Sequence, residues 1–260
     1  MFRLNVALLS LFMSGCVALN PPAPPPEDLR RSSADEGAKQ ISDRIPGIKR
    51  STFIVFSSDE PIEYEFMAED ASFHWESNKP RSSKIHSGLA TALTTDGYLL
   101  TAAHNVRPHC GVVGYIDGSL RTAKCNVIYD GRDLTGEDFA VLHVGYPVDY
   151  ALPLNDLTAK EELLYAFSFN RLGSTPSVDI LSGQLIKDRL HPIKEKGILL
   201  CDIPFYMGDS GGGVMTKDGK LIGINLGAQR SFFSSKSYRR IYSPNRDLIN
   251  EIIAEDRLKN

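Results

Sequence analysis

Short runs of apolar and β-branched residues, separated by turn-forming residues, recur along the chain from residue 51 onward. Runs of about four to eight such residues predict β-strands. We predict strands over residues 52–56, 88–93, 98–102, 139–144, 163–169, 178–185 and 198–202. Two more, 214–216 and 221–225, flank the turn Lys217-Asp218-Gly219-Lys220 and predict a hairpin. Many short antiparallel strands of this kind predict an all-β sandwich or a pair of barrels.

The C-terminal segment has a helical pattern instead. Its apolar positions fall on one stripe, made of Leu248, Ile249, Ile252 and Ile253. Ser243 can cap a helix, and Pro244 suits a first helical position. We therefore predict a terminal helix over about residues 244–257.

The first 16 residues differ again, because Arg3 precedes an apolar stretch over residues 4–13. This pattern predicts a secretory signal. The stretch ends in Met13-Ser14-Gly15-Cys16, which resembles the lipobox of bacterial lipoproteins, where the cysteine is lipidated and becomes the N-terminus. We expect export and lipidation of Cys16, with cleavage after Ala18 or an uncleaved anchor as alternatives. Val17 then indicates a periplasmic protein anchored to the outer membrane, if the source has two membranes.

Residues 17–50 predict a disordered tether between this signal and the body of the chain. They are charged, small or proline, without a sustained apolar period, and the prolines are Pro21, Pro22, Pro24, Pro25, Pro26 and Pro46. The folded body is expected to cover residues 51–260. No apolar run reaches the roughly 18 residues that a transmembrane helix needs.

Three further cysteines lie in the predicted body. The turn Asp117-Gly118 predicts a second hairpin, with strands over residues 112–116 and 119–128. In a regular hairpin around this turn Cys110 lies opposite Cys125, at a Cα separation of about 5 Å that a disulfide can bridge. Because an exported protein meets an oxidising environment, we predict this disulfide, unless a bulge shifts the register. Cys201 lies in an apolar run and is expected to be a buried free thiol.

Composition excludes several function classes. The 260 residues are 42% hydrophobic and 23% charged, as in ordinary globular proteins. The net charge of −3, from 29 basic and 32 acidic residues, gives no broad basic field, so nucleic acid is not an expected partner. No metal-ligand spacing or phosphate-cradling motif is present, so we expect neither a metal nor a cofactor.

One segment indicates a nucleophile. Ser210 lies among small residues in Met207-Gly208-Asp209-Ser210-Gly211-Gly212-Gly213, where glycines let backbone N–H groups converge on an oxyanion. The alternative is a glycine-rich turn between strands. The segment also fits the G-x-S-x-G elbow of α/β-hydrolases, which need a histidine after the serine, whereas all six histidines precede Ser210. A subtilisin order would need a helix-rich scaffold, so the order histidine, aspartate, serine remains.

A serine needs a base, and the base needs a group that orients it. His104 follows the predicted strand 98–102, where it could point into a cleft. Asp138 precedes the predicted strand 139–144, a placement suited to hold an imidazole. Asp130 and Asp133, which lie in a polar loop, are the alternatives.

Together these motifs resemble the chymotrypsin/trypsin-like serine proteases. The matching segments are Thr101-Ala102-Ala103-His104, Asp138-Phe139-Ala140-Val141 and Gly208-Asp209-Ser210-Gly211-Gly212, in the family's order. The resemblance covers about residues 51–260. It implies two six-stranded antiparallel β-barrels, over about 51–148 and 149–242, with the site in the cleft between them and the helix at the C-terminus.

The resemblance also implies roles. Ser210 would attack the scissile carbonyl of a protein or peptide substrate, His104 would act as general base and then acid, and Asp138 would orient the imidazole. The N–H groups of Gly208 and Ser210 would form the oxyanion hole. Two rival functions remain open: a binding lipoprotein that holds a peptide by strand addition without turnover, and an esterase with the same triad.

The sequence departs from the family at two points. Pro204 stands where trypsin-type proteases have the aspartate that selects Lys or Arg, so no cleavage preference is assigned. Vertebrate relatives are activated when a freed N-terminus pairs with the aspartate before the nucleophile, here Asp209. A lipidated N-terminus cannot do this, so we expect local hydrogen bonds to satisfy Asp209.

Overall fold

The computed structural model describes Ser33, Lys39, Ile41 and residues 43–61, 85–156, 163–170, 177–186, 197–206, 208–230 and 237–259. The predicted signal, Cys16 and most of the predicted tether lie outside these residues. In the part of the chain that is described, no helix is long and apolar enough to cross a membrane.

A first antiparallel sheet contains seven strands. They are β1 Thr52–Ser58, β2 His86–Ala92, β3 Tyr98–Thr101, β4 His109–Ile116, β5 Ser119–Lys124, β6 Asn126–Asp130 and β7 Ala140–His143. Their order in the sheet is β5-β4-β1-β2-β3-β7-β6. The sequence predicts six strands here, and the count differs because the predicted strand 119–128 divides at Cys125. Its first part pairs with β4 and its second part pairs with β7.

A second antiparallel sheet contains six strands, the number that the family resemblance implies. They are β8 Leu163–Asn170, β9 Ser177–Gln184, β10 Ile198–Cys201, β11 Gly213–Thr216, β12 Leu221–Arg230 and β13 Ser237–Tyr242. Their order is β10-β13-β12-β11-β8-β9. Both sheets curl into half-barrels, so the molecule has the chymotrypsin-like architecture expected from the sequence. The strand β13 was not predicted, because Arg239 and Arg240 interrupt its apolar pattern.

The described residues form three buried hydrophobic clusters. One fills the first half-barrel around Phe53 and Leu142, and another fills the second around Val214. The third contains Leu89 of the first sheet and Phe167 of the second, so it joins the two sheets. Since burial of apolar surface is the main stabilising term, this shared cluster fixes the cleft between the sheets.

Three helices accompany the sheets in the described residues: α1 Ile45–Arg50, α2 Gly131–Leu134 and α3 Arg246–Arg257. The predicted C-terminal helix is confirmed as α3, and Ile249, Ile252 and Ile253 of its stripe are buried. Its cap is Asn245 and not Ser243, because the Asn245 side chain accepts the free N–H groups of Asp247 and Leu248.

The end of the predicted tether is ordered. Residues 43–50 contain α1, and Ile41 and Ile48 are each only 2% exposed, packed in the cluster between the sheets. Arg44 donates a hydrogen bond to the carbonyl of Asp218 in the second sheet's hairpin. Apolar burial outweighs the polar character of this segment, so the ordered part of the chain begins before residue 51.

The predicted hairpin at Asp117-Gly118 is confirmed. Both residues have positive φ, 53° and 78°, as a type I′ turn requires. The register opposes Gly111 to Lys124, and the Cys125 N–H donates to the Cys110 carbonyl at 3.1 Å. The two cysteines therefore face each other, as the turn predicts.

The disulfide itself is not formed in this structure. The sulfur atoms of Cys110 and Cys125 lie 2.9 Å apart, beyond the roughly 2.05 Å of an S–S bond, and both are buried thiols. Their mutual hydrogen bond and burial hold the pKa of Cys125 well above its ordinary value. Cys201 is also a buried free thiol, as expected, and burial raises its pKa to about 12.

Candidate active site

His104 and Asp138 are held together by two hydrogen bonds. His104 lies in a 3-10 turn, Ala103–Asn105, directly after β3, and Asp138 lies just before β7, the strand that pairs with β3. The backbone N–H of His104 donates to Asp138 Oδ1 at 2.9 Å, and its ring Nδ1 lies 2.8 Å from Oδ2. Both oxygens of the carboxylate are thus engaged by one residue, which fixes the orientation of the imidazole.

The charge of Asp138 determines which nitrogen of His104 is basic. Burial alone would raise the pKa of Asp138, but the hydrogen bonds and charge of His104, with the charge of Arg240, leave it below 3.8. A carboxylate ionised at neutral pH only accepts hydrogen bonds, so Nδ1 carries the proton between them. In the neutral ring the lone pair is then on Nε2, the atom that can take a proton from a nucleophile.

The alternative aspartates are engaged elsewhere. The Asp130 side chain caps α2 by accepting the N–H of Arg132, and it also pairs with that residue's guanidinium at 2.6 Å. Asp133 is exposed within α2. Of the three candidates, the structure brings only Asp138 into contact with His104 among the described residues.

The Ser210 segment is a tight loop whose glycines have the backbone that a turn requires. Gly208 and Gly211 have φ values of 96° and 85°, a region that side chains with a Cβ rarely adopt. The N–H of Asp209 donates to the Tyr206 carbonyl at 3.1 Å, and the N–H of Gly212 donates to the Asp209 carbonyl at 3.0 Å. These bonds fold the segment back on itself, so the prediction of a sharply turning backbone is confirmed.

Two N–H groups of this loop are not used by the fold. Within the described part of the chain, neither the Gly208 N–H nor the Ser210 N–H donates a hydrogen bond. The N–H of Gly211, in contrast, donates to the Asn225 carbonyl at 2.8 Å. The two groups are those that the sequence pairs as an oxyanion hole.

Asp209 is buried at 1% exposure, and neighbours of its own half-barrel satisfy it. The Ser168 hydroxyl donates to Oδ1 at 3.0 Å, and the Tyr206 N–H donates to Oδ2 at 2.7 Å. Local hydrogen bonds to a buried carboxylate are what the sequence predicts here. These two bonds, among the described residues, help to hold the loop in shape.

Asn105, a residue that the sequence did not single out, links the nucleophile loop to the histidine turn. The Ser210 carbonyl accepts from Asn105 Nδ2 at 2.8 Å and from the Leu89 N–H at 2.7 Å. Asn105 is only 3% exposed, and the same Nδ2 lies 3.2 Å from Thr101 Oγ1. The signal that the sequence offered for Asn105 was its position directly after His104. A buried amide needs hydrogen-bond partners, and Asn105 finds them in the Ser210 carbonyl and Thr101. In the described residues no hydrogen bond joins the Ser210 hydroxyl to His104 itself.

The reacting groups face open space. The His104 side chain is 42% exposed and the Asp138 side chain is 32% exposed. Gly227, with φ 102°, lies beside Ser210, and a Cβ added there would lie 3.9 Å from the Ser210 hydroxyl oxygen, with no other described residue beyond its chain neighbours within 4 Å. A substrate can therefore approach the hydroxyl from this side. Among the described residues, no group of three or more His, Cys, Asp and Glu could hold a metal ion.

Several solved proteases share this fold. The protease domain of MamO from Magnetospirillum magneticum is 16% identical, with a TM-score of 0.50 over 80% of this chain and 98% of that one. The HtrA-type protease AlgW is 17% identical, with a TM-score of 0.58 over 82% and 67% of the two chains. An M. tuberculosis protease in its active form is 16% identical, with a TM-score of 0.52 over 85% and 83%. At these identities the likeness shows the fold alone.

Sequence comparison is more specific. No curated protein matches the chain. The family model for the trypsin-like peptidase domain matches residues 87–224, which contain His104, Asp138 and Ser210 and make up more than half of the chain. Together with the protease fold, this match supports a serine protease. The chain belongs to the trypsin-like peptidase domain family.

Proposed function

We propose that this protein is a serine endopeptidase that uses His104, Asp138 and Ser210. One observation carries the proposal: both oxygens of Asp138 hold His104, and the residue after His104 holds the Ser210 carbonyl. A histidine oriented by a carboxylate beside a serine on a glycine-rich loop is the arrangement that activates a hydroxyl.

The reaction begins at the Ser210 hydroxyl. Its oxygen attacks the carbonyl carbon of the substrate, and its proton moves to Nε2 of His104. The ionised Asp138 stabilises the imidazolium that results. The carbonyl oxygen becomes an oxyanion and accepts hydrogen bonds from the N–H groups of Gly208 and Ser210, which the fold leaves unused in the described residues.

The intermediate then collapses. The C–N bond breaks, the amine leaves with the proton from His104, and an ester between Ser210 and the substrate's acyl group remains. Water attacks the carbonyl carbon of this ester and gives one proton to His104. The bond between the Ser210 oxygen and the acyl group then breaks, the Ser210 oxygen takes the proton from His104, and the acid is released.

We also propose that the protein is exported and tethered to a membrane through lipid on Cys16. The proposal rests on the sequence pattern of the first 16 residues, which lie outside the described structure. Metabolic labelling with a radioactive fatty acid tests it. The wild-type chain should incorporate label and fractionate with membranes, whereas Cys16→Ser should do neither, and label in that variant would refute the assignment.

Covalent labelling tests the catalytic proposal without knowledge of the substrate. The full chain is treated with an uncharged fluorophosphonate probe, beside Ser210→Ala, His104→Ala and the surface control Asn250→Ala. The wild type and the control should label, and the two site variants should not. A folded wild-type chain that does not label would indicate a peptide-binding protein without turnover and would refute the proposal. Labelling with hydrolysis of esters but not of peptides would indicate an esterase.

A further inference from the structure

Arg240 lies on the strand that pairs with β12, the strand that passes beside the Ser210 hydroxyl at Gly227. It is part of β13, and the strand register opposes it to Gly227 of β12. Directly opposed residues of an antiparallel pair project to the same face of the sheet. The register is irregular between Asn225 and Gly227, but Tyr242, two residues along β13 from Arg240, is buried in the cluster between the sheets. The Arg240 side chain therefore projects to the side of β13 that faces the cleft, as alternate residues of a strand share one face.

That face is the one that holds the Ser210 hydroxyl. A Cβ on Gly227 would lie 3.9 Å from the Ser210 hydroxyl oxygen, and, apart from the chain neighbours of Gly227, no other atom of the described residues lies within 4 Å of it. Because Gly227 has no side chain, nothing on β12 at this position separates Arg240 from the space beside the nucleophile. A long cationic side chain on the strand paired with β12 can therefore extend toward the space beside Ser210.

The guanidinium has no anionic partner of its own in the described part of the chain. Arg240 is partly exposed, and its Nε is buried without a hydrogen-bond partner. Its charge reaches the site, since it is one of the causes that lower the pKa of Asp138. Within the described residues the Arg240 guanidinium makes no hydrogen bond or ion pair, so its donors can bind a further anion.

The neighbouring basic residue has a different environment. Arg239 is only 7% exposed and, as the next residue of the strand, projects to the opposite face. Its register partner on β10 is Cys201, inside the second half-barrel. Arg240 is therefore the arginine of β13 that faces the cleft.

We propose that Arg240 binds a carboxylate on the substrate residue whose carbonyl Ser210 attacks, so that the enzyme cleaves peptides after Asp or Glu. The side chain of that residue is attached to the Cα that is bonded to the attacked carbonyl carbon, so it lies close to the Ser210 hydroxyl, in the cleft that Arg240 faces. A guanidinium pairs with a carboxylate through two parallel hydrogen bonds, which an amide of the same shape cannot match. This inference rests on the peptidase function proposed above.

Two amidated peptides that differ only in Glu or Gln before the scissile bond test the assignment on the full chain. The wild type should favour the Glu peptide in kcat/KM by about 10- to 100-fold, the range expected for hydrogen bonds to a charged group. Arg240→Gln should abolish this ratio, and Arg240→Lys should retain part of it. Arg246→Gln is the matched control, because it removes one positive charge from an exposed position on α3 and should leave the ratio unchanged.

The ratio of kcat/KM for the Glu peptide to kcat/KM for the Gln peptide distinguishes a role of Arg240 in specificity from its other roles. If Arg240 only stabilised ionised Asp138 or the fold, Arg240→Gln would slow both peptides equally, and an unchanged ratio would overturn the proposal. A wild type without preference for Glu would overturn it as well. Labelling by the uncharged fluorophosphonate reports the activated serine independently. Its absence from every variant would therefore count against the peptidase function and not against the specificity alone.

Discussion

Asn105 and Gly88 form a contact that a double-mutant cycle can test. A Cβ built on Gly88 would lie 2.2 Å from Asn105 Nδ2, and all three of its nearest atoms belong to the Asn105 amide. That amide cannot move aside without losing its hydrogen bonds to the Ser210 carbonyl and to Thr101. Gly88→Ala should therefore destabilise the protein through Asn105.

The size of each effect follows from these bonds. Asn105→Ala removes the 2.8 Å bond to Ser210 and the 3.2 Å contact with Thr101 and leaves a small cavity. The Ser210 carbonyl keeps its bond from Leu89, so we expect a total loss of about 2–4 kcal/mol. Gly88→Ala alone should cost about 1–3 kcal/mol, the value of the displaced amide bonds. In the Asn105→Ala background the added methyl group has space, so its cost should vanish.

Urea unfolding of the four proteins measures this cycle, and Asn250→Ala provides the control. Asn250 is exposed on α3, so its substitution should change stability by less than about 0.5 kcal/mol. The double variant should be more stable, by about 1–3 kcal/mol in the free energy of unfolding, than the sum of the two single substitutions predicts. Fluorophosphonate labelling should be slower in Asn105→Ala. Additive free energies of unfolding, with an unchanged labelling rate, would refute the role of Asn105 as the link between the two loops.

Three other predictions concern separate parts of the molecule. Folding lowers the pKa of Asp138, so ionised Asp138 stabilises the folded protein at pH values above the pKa that this group has in the unfolded chain. This stabilisation is lost as the pH falls through the pKa of Asp138 in the folded protein. The difference in the free energy of unfolding between wild type and Asp138→Asn, measured in urea, should therefore shrink below about pH 4. A difference that stays constant with pH would contradict this role of Asp138. Oxidised glutathione should form a disulfide between Cys110 and Cys125, detected as a mass loss of two hydrogens and as a disulfide-linked peptide after digestion. A disulfide to Cys201 would contradict the strand register. Ile48→Ala should destabilise the protein by about 2–4 kcal/mol in thermal unfolding, whereas a tether without contacts would show no effect.

Much of the strand pattern could be predicted from the sequence, because apolar runs and turn residues are local signals. The hairpin at Asp117-Gly118 needs positive φ at both positions, and that requirement alone set the register of Cys110 and Cys125. The division of the return strand at Cys125 has no such local signal, since it depends on which strand each part pairs with.

The parts that were missed depend on tertiary contacts. The helix α1 contains Pro46 and follows a charged segment, and it is ordered because Ile48 is buried between the sheets. Apart from its position after His104, nothing in the sequence distinguished Asn105 from a surface asparagine, because its burial depends on β2 and the Ser210 loop. A role for Arg240 could likewise not be predicted from the sequence, because its position near Gly227 depends on the strand register.

Turnover of a peptide bond by Ser210 is the central claim, and hydrolysis of a quenched fluorescent protein substrate tests it most directly. The full wild-type chain should release fluorescent peptides in amounts that exceed the amount of enzyme. Ser210→Ala and His104→Ala should remain at the background rate, while Asn250→Ala should match the wild type. Equal hydrolysis by wild type and Ser210→Ala, or no hydrolysis by a wild-type chain that the fluorophosphonate labels, would contradict the account.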